Sequence, residues 1–182
     1  MKNCKNVAVF CAASEEIDKK YRDEACEVGA MIGAVGATLI YGGARAGLME
    51  ATAAAVKEAG GRVVGVVPQV LVERNRVSAL LDETVLVRDL SERKDIMVQR
   101  SDVLVALPGG VGTLDEIFHT MAAATIGFHS KRVVLYNASG FWDGLLSLLR
   151  EMANEAFVRG ALCNYLTEVR SVEELKQIII EA

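Results

Sequence analysis

Residues 101–127 read SDVLVALPGGVGTLDEIFHTMAAATIG, and the fold turns on them. Residues 103–107 are an unbroken apolar run, with the length and the valine and leucine content of a strand covered on both faces. Pro108 ends the run, because proline brings no backbone N–H to a sheet ladder. Gly109, Gly110 and Gly112 follow, where a missing side chain permits positive φ or close approach of another group. Thr113 is suited to cap a helix that carries Ile117 and Met121 on one face. Strand, glycine turn and helix start together leave backbone N–H groups uncovered at the positive end of a helix dipole. That arrangement holds phosphate.

Outward from this unit the chain keeps alternating. Residues 7–11 predict a first strand and 12–17 its loop. Tyr21, Ala25, Val28 and Ile32 then recur at helical spacing over residues 19–35, with Gly36 as C-cap. A short strand at 38–41 runs into Gly42-Gly43-Ala44-Arg45-Ala46-Gly47, a second glycine turn, and a helix over 48–59. Gly60 and Gly61 stop that helix, and residues 62–67 form a strand ending at Pro68. Residues 69–82 lack a clear period and fit either a short helix or a loop, with Arg74 and Arg76 either solvated or facing a ligand. A strand at 84–87 precedes a helix over 91–100, for which Ser91 is the expected N-cap. Residues 132–136 predict another buried strand. Leu145, Leu146, Leu149 and Met152 mark an amphipathic helix over 142–154, and 165–169 an edge strand. Ser171 and Glu174 make a capping box for the last helix, 172–181.

The expected fold is therefore α/β: a Rossmann-like, doubly wound parallel sheet forming a single domain over residues 1–182. In such sheets ligands sit beyond the carboxyl ends of the strands, where loops 12–17, 42–47 and 108–113 all open.

Composition narrows the classes of function. Apolar residues are 52% and charged residues 24% of the 182, which suits a globular chain and excludes a disordered one. The net charge of -4 argues against a nucleic-acid surface, and no apolar run approaches a membrane span. The apolar run after the N-terminal lysines is short and feeds an acidic segment, so it reads as a strand rather than a signal peptide, and the cytoplasm is the expected location. Cys4, Cys11, Cys26 and Cys163 form no CxxC pair. His119 and His129 are the only histidines, so neither a metal nor another cofactor is expected. Cys11 and Cys26, set among apolar neighbours, are expected in the core.

Two charged groups carry the chemistry. Glu116 follows Thr113 at capping-box spacing, yet one turn beyond a phosphate cradle the same carboxylate can face a ligand; the spacing leaves both readings open. Asp115 points about 100° away from it, so the two are not an acid–base pair. Arg93 and Lys94, in LSERKDIM, belong either to a solvated face or, with Met97 and Arg100 on the same helical side as Arg93, to a partly covered one.

Arg93-Lys94 followed by PGGVGTLDE, residues 108–116, resembles the Lonely Guy family of cytokinin-activating nucleoside 5′-monophosphate phosphoribohydrolases. Proteins of that family are often labelled lysine decarboxylases. VFCAAS, YGGARAGLM, VVGVVP, GFHSKRVVLYN and GFWDGLL resemble its flanking segments, so the similarity spans nearly the whole chain. It implies that Arg93 and Glu116 are catalytic. It also implies that Gly109, Gly110, Val111, Gly112 and Thr113 hold the 5′-phosphate, with Gly43, Lys94 and Asp115 as further substrate contacts, and that the protein is a homodimer. The chain departs from the family's pattern in several places. CGSS is here CAAS, GGGSVGLMG is GGARAGLME, MHxRK is LSERK, and the TWAQLG after the motif is AAATIG, with Ala123 for tryptophan. The rival reading is a carrier of the molybdenum-cofactor type, which uses similar glycine turns to bind without cleaving.

Overall fold

Each apolar run becomes a strand of one parallel sheet in the computed structural model, which describes residues 5–182; Cys4 lies outside them. The strands are β1 (Asn6–Phe10), β2 (Thr38–Tyr41), β3 (Arg62–Pro68), β4 (Glu83–Val87), β5 (Val103–Ala106), β6 (Val133–Tyr136) and β7 (Leu166–Val169). Their order across the sheet is β4-β3-β2-β1-β5-β6-β7, with every pairing parallel. The helices are α1 (Lys19–Ala34), α2 (Gly47–Glu58), α3 (Gln69–Glu73), α4 (Leu90–Arg100), α5 (Val111–Thr125), α6 (Asp143–Asn154) and α7 (Val172–Glu181). Among the described residues none is long and apolar enough to cross a membrane.

Alternation along the strands sorts the core into two layers. Val7 and Val9 of β1 and Cys11 just after it, with Val103 and Val105 of β5, face α1, α2 and α7. Ala8, Phe10, Leu104 and Ala106 face α4, α5 and α6 through Met97, Ile117 and Leu146. The inner strands are covered on both faces and have no polar side to show, which is why they read as apolar runs, whereas the edge strand β4 leaves Leu86 exposed.

Several local expectations shift. The helix after the glycine turn begins at Val111 with Gly110 at its N-cap, so Thr113 is not the cap; it lies inside the first turn, 2% exposed. Gly109, Gly110 and Gly112 do not use positive φ. Their lack of a Cβ matters instead: at Gly109 a Cβ would strike the Thr113 side chain, and at Gly110 and Gly112 it would fill open space. Asp89, not Ser91, caps α4, because its carboxylate accepts from the Glu92 N–H at 2.9 Å while the Glu92 carboxylate accepts from the Arg88 N–H at 2.8 Å. Cys26 is exposed rather than in the core, with its thiol 4.0 Å from the Ala51 carbonyl of α2. Residues 69–82 contain the short α3, then a bridge between Ala44 and Val77 that pins this segment to the second glycine turn.

The tightest helix pair is α1 against α2. A Cβ on Gly29 would stand 2.5 Å from the Thr52 carbonyl oxygen, and one on Gly33 2.7 Å from that of Val56. Backbone atoms cannot step aside as a flexible side chain can. Gly29→Ala is therefore expected to destabilise the fold by about 1–3 kcal/mol, the usual scale of overpacking. The midpoint of urea unfolding measures it, and an unchanged midpoint would contradict the close approach.

Candidate active site

The chain runs from β1 outward to β4, returns to β5 beside β1, and then runs outward the other way. The loops leaving these two central neighbours diverge and open a crevice at their carboxyl ends. A cleft of about 350 Å³ lies there. Cys11, Ala12, Ala13 and Ser14, leaving β1, form one wall. Gly110, Gly112 and Thr113, opening α5, form the opposite one. Met49 of α2 and Leu90 of α4 supply apolar surface, and Arg93, Lys94, Asp115 and Glu116 supply charge.

The first helical hydrogen bond of α5 runs from the Leu114 N–H to the Gly110 carbonyl at 3.0 Å. The N–H groups of residues 111–113 precede it and have no acceptor within the helix, so they are available to an anion. With open space at Gly110 and Gly112, a ligand can reach this backbone.

At the cleft's base Glu116 is 5% exposed, and its capping-box reading fails. Its side chain does not return to the helix start; Oε1 lies 3.7 Å from Nη1 of Arg93. The Arg93 side chain is 11% exposed and donates from Nε to the Val66 carbonyl at 3.2 Å. It occupies the place where a side chain at position 42 would be, since a Cβ on Gly42 would land on the guanidinium. Burial pushes the Glu116 carboxyl up to about 7; the Arg93 charge pulls it down, Asp115 pushes it up and Lys94 pulls it down. Burial is also the main force holding the Cys11 thiol well above its ordinary range, with the Glu116 charge adding to it and Arg93 opposing. The thiol therefore stays protonated and is no nucleophile.

Lys94 lies across from Asp115 and donates to both of its carboxylate oxygens at 2.7 Å. Asp115 is thus tied to the α4 lysine and stands apart from Glu116. Among the described residues no three metal-ligating side chains converge.

Seven of the residues expected at a site line one cleft: Arg93, Lys94, Gly110, Gly112, Thr113, Asp115 and Glu116. Three do not. Val111 is 84% exposed at the helix start, leaving only its backbone to serve a ligand. Gly109 borders a neighbouring apolar hollow of about 270 Å³, with Tyr21 and Phe141. Gly43 lies outside the cleft against β3, with φ of 69° and no room for a Cβ beside Val67. Its neighbour Gly42 is the glycine that bears on the site, and only three-dimensional contact reveals it. Sequence reasoning also left out Met49, Leu90 and the Cys11–Ser14 wall as cleft residues, although it had put the loop after β1 on this side.

The family model described as "Possible lysine decarboxylase" matches residues 49–179. A cytokinin riboside 5′-monophosphate phosphoribohydrolase from Mycobacterium tuberculosis is 39% identical over 168 residues, which cover 92% of this chain and 89% of the relative. A probable cytokinin riboside 5′-monophosphate phosphoribohydrolase from Oryza sativa subsp. japonica is 40% identical over 154 residues, 85% of this chain and 68% of the relative. Among solved structures, the molybdenum cofactor carrier protein of Chlamydomonas reinhardtii superposes with a TM-score of 0.74 over 98% of both chains. At 22% identity that likeness speaks for the shared fold alone. Sequence identity of this order, sustained over most of both chains, settles the kinship: the chain belongs to the Lonely Guy family.

Proposed function

We propose that residues 1–182 act as one hydrolase that cleaves the N-glycosidic bond of a purine or cytokinin nucleoside 5′-monophosphate, releasing the free base and ribose 5-phosphate. The observation that carries this reading is the buried Arg93–Glu116 pair at the foot of an uncovered helix N-terminus. A carrier needs the anion-binding turn but has no use for a carboxylate buried against a guanidinium. The carrier reading rests on likeness of fold alone.

The N-H groups of residues 111–113 hold the 5′-phosphate, which sets C1′ of the ribose over Glu116. As the bond to the base breaks, positive charge grows on C1′ and the ring oxygen. The Glu116 carboxylate stabilises that charge and orients the attacking water. Arg93 does two things: its fork binds ribose or phosphate oxygens, and its charge keeps Glu116 from rising further. Lys94, held by Asp115, adds positive charge at the mouth. The only charges used are those of the chain, and the setting proposed is the cytoplasm.

A partner subunit is part of this proposal. Val111, Phe118 and Ile126 line the outer side of α5, at 84%, 40% and 64% exposure, and Phe128 just beyond is 80% exposed. Ala123 and Phe128 border a hollow of about 570 Å³ alongside. A second copy of the chain covers this face. Phe118→Glu is expected to shift light scattering from dimer to monomer mass at micromolar concentration; a monomeric wild type would remove the partner from the proposal.

AMP should be cleaved far faster than adenosine, which lacks the group for the α5 turn; chromatography of the free base measures both, and equal rates would sink the cradle. Glu116→Gln keeps shape and loses charge, so turnover should fall by about 100-fold or more with little change in melting temperature. Near-normal turnover would leave the carboxylate without a role.

Because the reactive form is the carboxylate and its pKa is about 7, kcat/KM should rise about tenfold per pH unit below 7 and level off above it. A profile falling through the same range would make Glu116 a proton donor instead.

Gly42→Ala is expected to dislodge Arg93, lowering kcat by about tenfold or more while the fold persists, since the displaced atoms end a flexible side chain. Full activity would show that the guanidinium need not sit there.

A further inference from the structure

Seven of the arginines are paired with carboxylates: Arg22, Arg62, Arg88, Arg93, Arg100, Arg150 and Arg170. Arg45, Arg74 and Arg76 are exposed and, among the described residues, have no carboxylate within salt-bridge reach. Arg132 and Arg159 share that condition but lie on separate segments after β5. The first three come together. The Arg45 N–H donates to the Arg76 carbonyl at 2.8 Å, and the Ser78 N–H donates to the Gly43 carbonyl at 2.9 Å. Arg74 is the C-cap of α3, two residues before Arg76.

This pair of loops abuts the cleft. At one end of the 42–47 turn, Gly42 lies against the Arg93 guanidinium. At the other, a Cβ on Gly47 would stand 2.7 Å from the carbonyl carbon of Ala13, a wall residue. The nearby acids do not neutralise the cluster. Glu15 accepts from the Gly47 N–H at 2.8 Å and pairs with Arg22, which leaves Glu50 of α2 and Glu73 of α3 as the acids beside the three arginines; neither is ion-paired with them.

We propose that Arg45, Arg74 and Arg76 form a cationic rim that draws the sugar-phosphate dianion into the cleft. The inference rests on the proposed function for the identity of the anion. On a chain of net charge -4, a dianion is repelled by the surface at large, and a local positive rim reverses that at the entrance. Such a rim acts on bound ground state and transition state alike, so it strengthens binding without changing kcat.

The size of the effect follows from Coulomb's law. Three unit charges about one Debye length from a dianion, roughly 10 Å at 0.1 M salt, are worth about fivefold in affinity. Reversing the three charges doubles the change in energy and gives about twentyfold. Ribose 5-phosphate is the probe, because it carries the phosphate and has no bond left to cleave. Its Kd is measured by calorimetry for wild type, for Arg45→Gln/Arg74→Gln/Arg76→Gln and for the corresponding triple Glu variant, at about 0.1 M and about 1 M salt. The expected result is a graded loss, about fivefold and then about twentyfold, that largely vanishes at the higher salt, with AMP turnover at saturation unchanged. Equal Kd values across the three proteins, a loss insensitive to salt, or no binding to wild type would each overturn the rim. Absence of AMP cleavage alone would strike the proposed activity and leave this measurement standing.

Discussion

Burying Arg93 against Glu116 is the constraint to which much of this structure answers. Two opposite charges at 11% and 7% side-chain exposure lose most of their hydration, and their mutual attraction offsets that loss only when the geometry is held. The fold holds it from three sides. The Val66 carbonyl at the end of β3 orients the guanidinium, Gly42 after β2 makes room for it, and α5, packed through Ile117 and Met121, fixes the carboxylate. Even so, desolvation wins over Coulomb attraction at Glu116, whose carboxyl is raised rather than lowered. A pair built only for stability would sit closer than 3.7 Å.

Lys94 and Asp115 make the useful contrast. They lie beside the first pair, on the same two helices, but meet at 2.7 Å with both carboxylate oxygens engaged. Asp115 is half exposed and has formed the contact it can form. Glu116 has not: the charged group nearest to it is the guanidinium at 3.7 Å, and its neighbouring thiol is held protonated. Of two adjacent carboxylates, one is tightly ion-paired and the other is buried without a close partner, as their positions about 100° apart on the helix allow.

Where the sequence was legible follows the same physics. The sheet could be read because a doubly covered strand must be apolar throughout, and residues 103–107 and 133–136 had no other use. The glycine turn was legible because Pro108, Gly109, Gly110 and Gly112 mark a junction on their own. Glu116 was undecided, since a capping box and a carboxylate facing a cleft share one spacing; only the helix start at Val111 separates them. Gly42 and Gly43 could not be told apart along the chain, because one faces Arg93 and the other Val67, contacts some fifty and some twenty residues away in sequence. Cys26 misled because Ala25 beside it is fully buried while Cys26 itself, flanked on the other side by Glu27, is exposed.

Two of the four departures from the family's pattern fall in the loops after β1 and β2; the others lie at the start of α4, where Leu90 lines the cleft, and at the end of α5. Ala12 and Ala13 replace the more flexible and polar segment of the first loop, and Ala44 and Arg45 stand in the second turn. Neither change touches Arg93, Glu116 or the α5 turn. Ala12 and Ala13 line the cleft with small side chains, while Ala44 is buried outside it and puts the exposed Arg45 on the neighbouring turn. The Arg93–Glu116 pair at the β1–β5 switch point is insulated from such changes, because both side chains hang from helices packed into the second core layer. Loops at the rim carry no such packing. A chain under this architecture can therefore vary the entrance of its cleft while the buried charge pair stays in place.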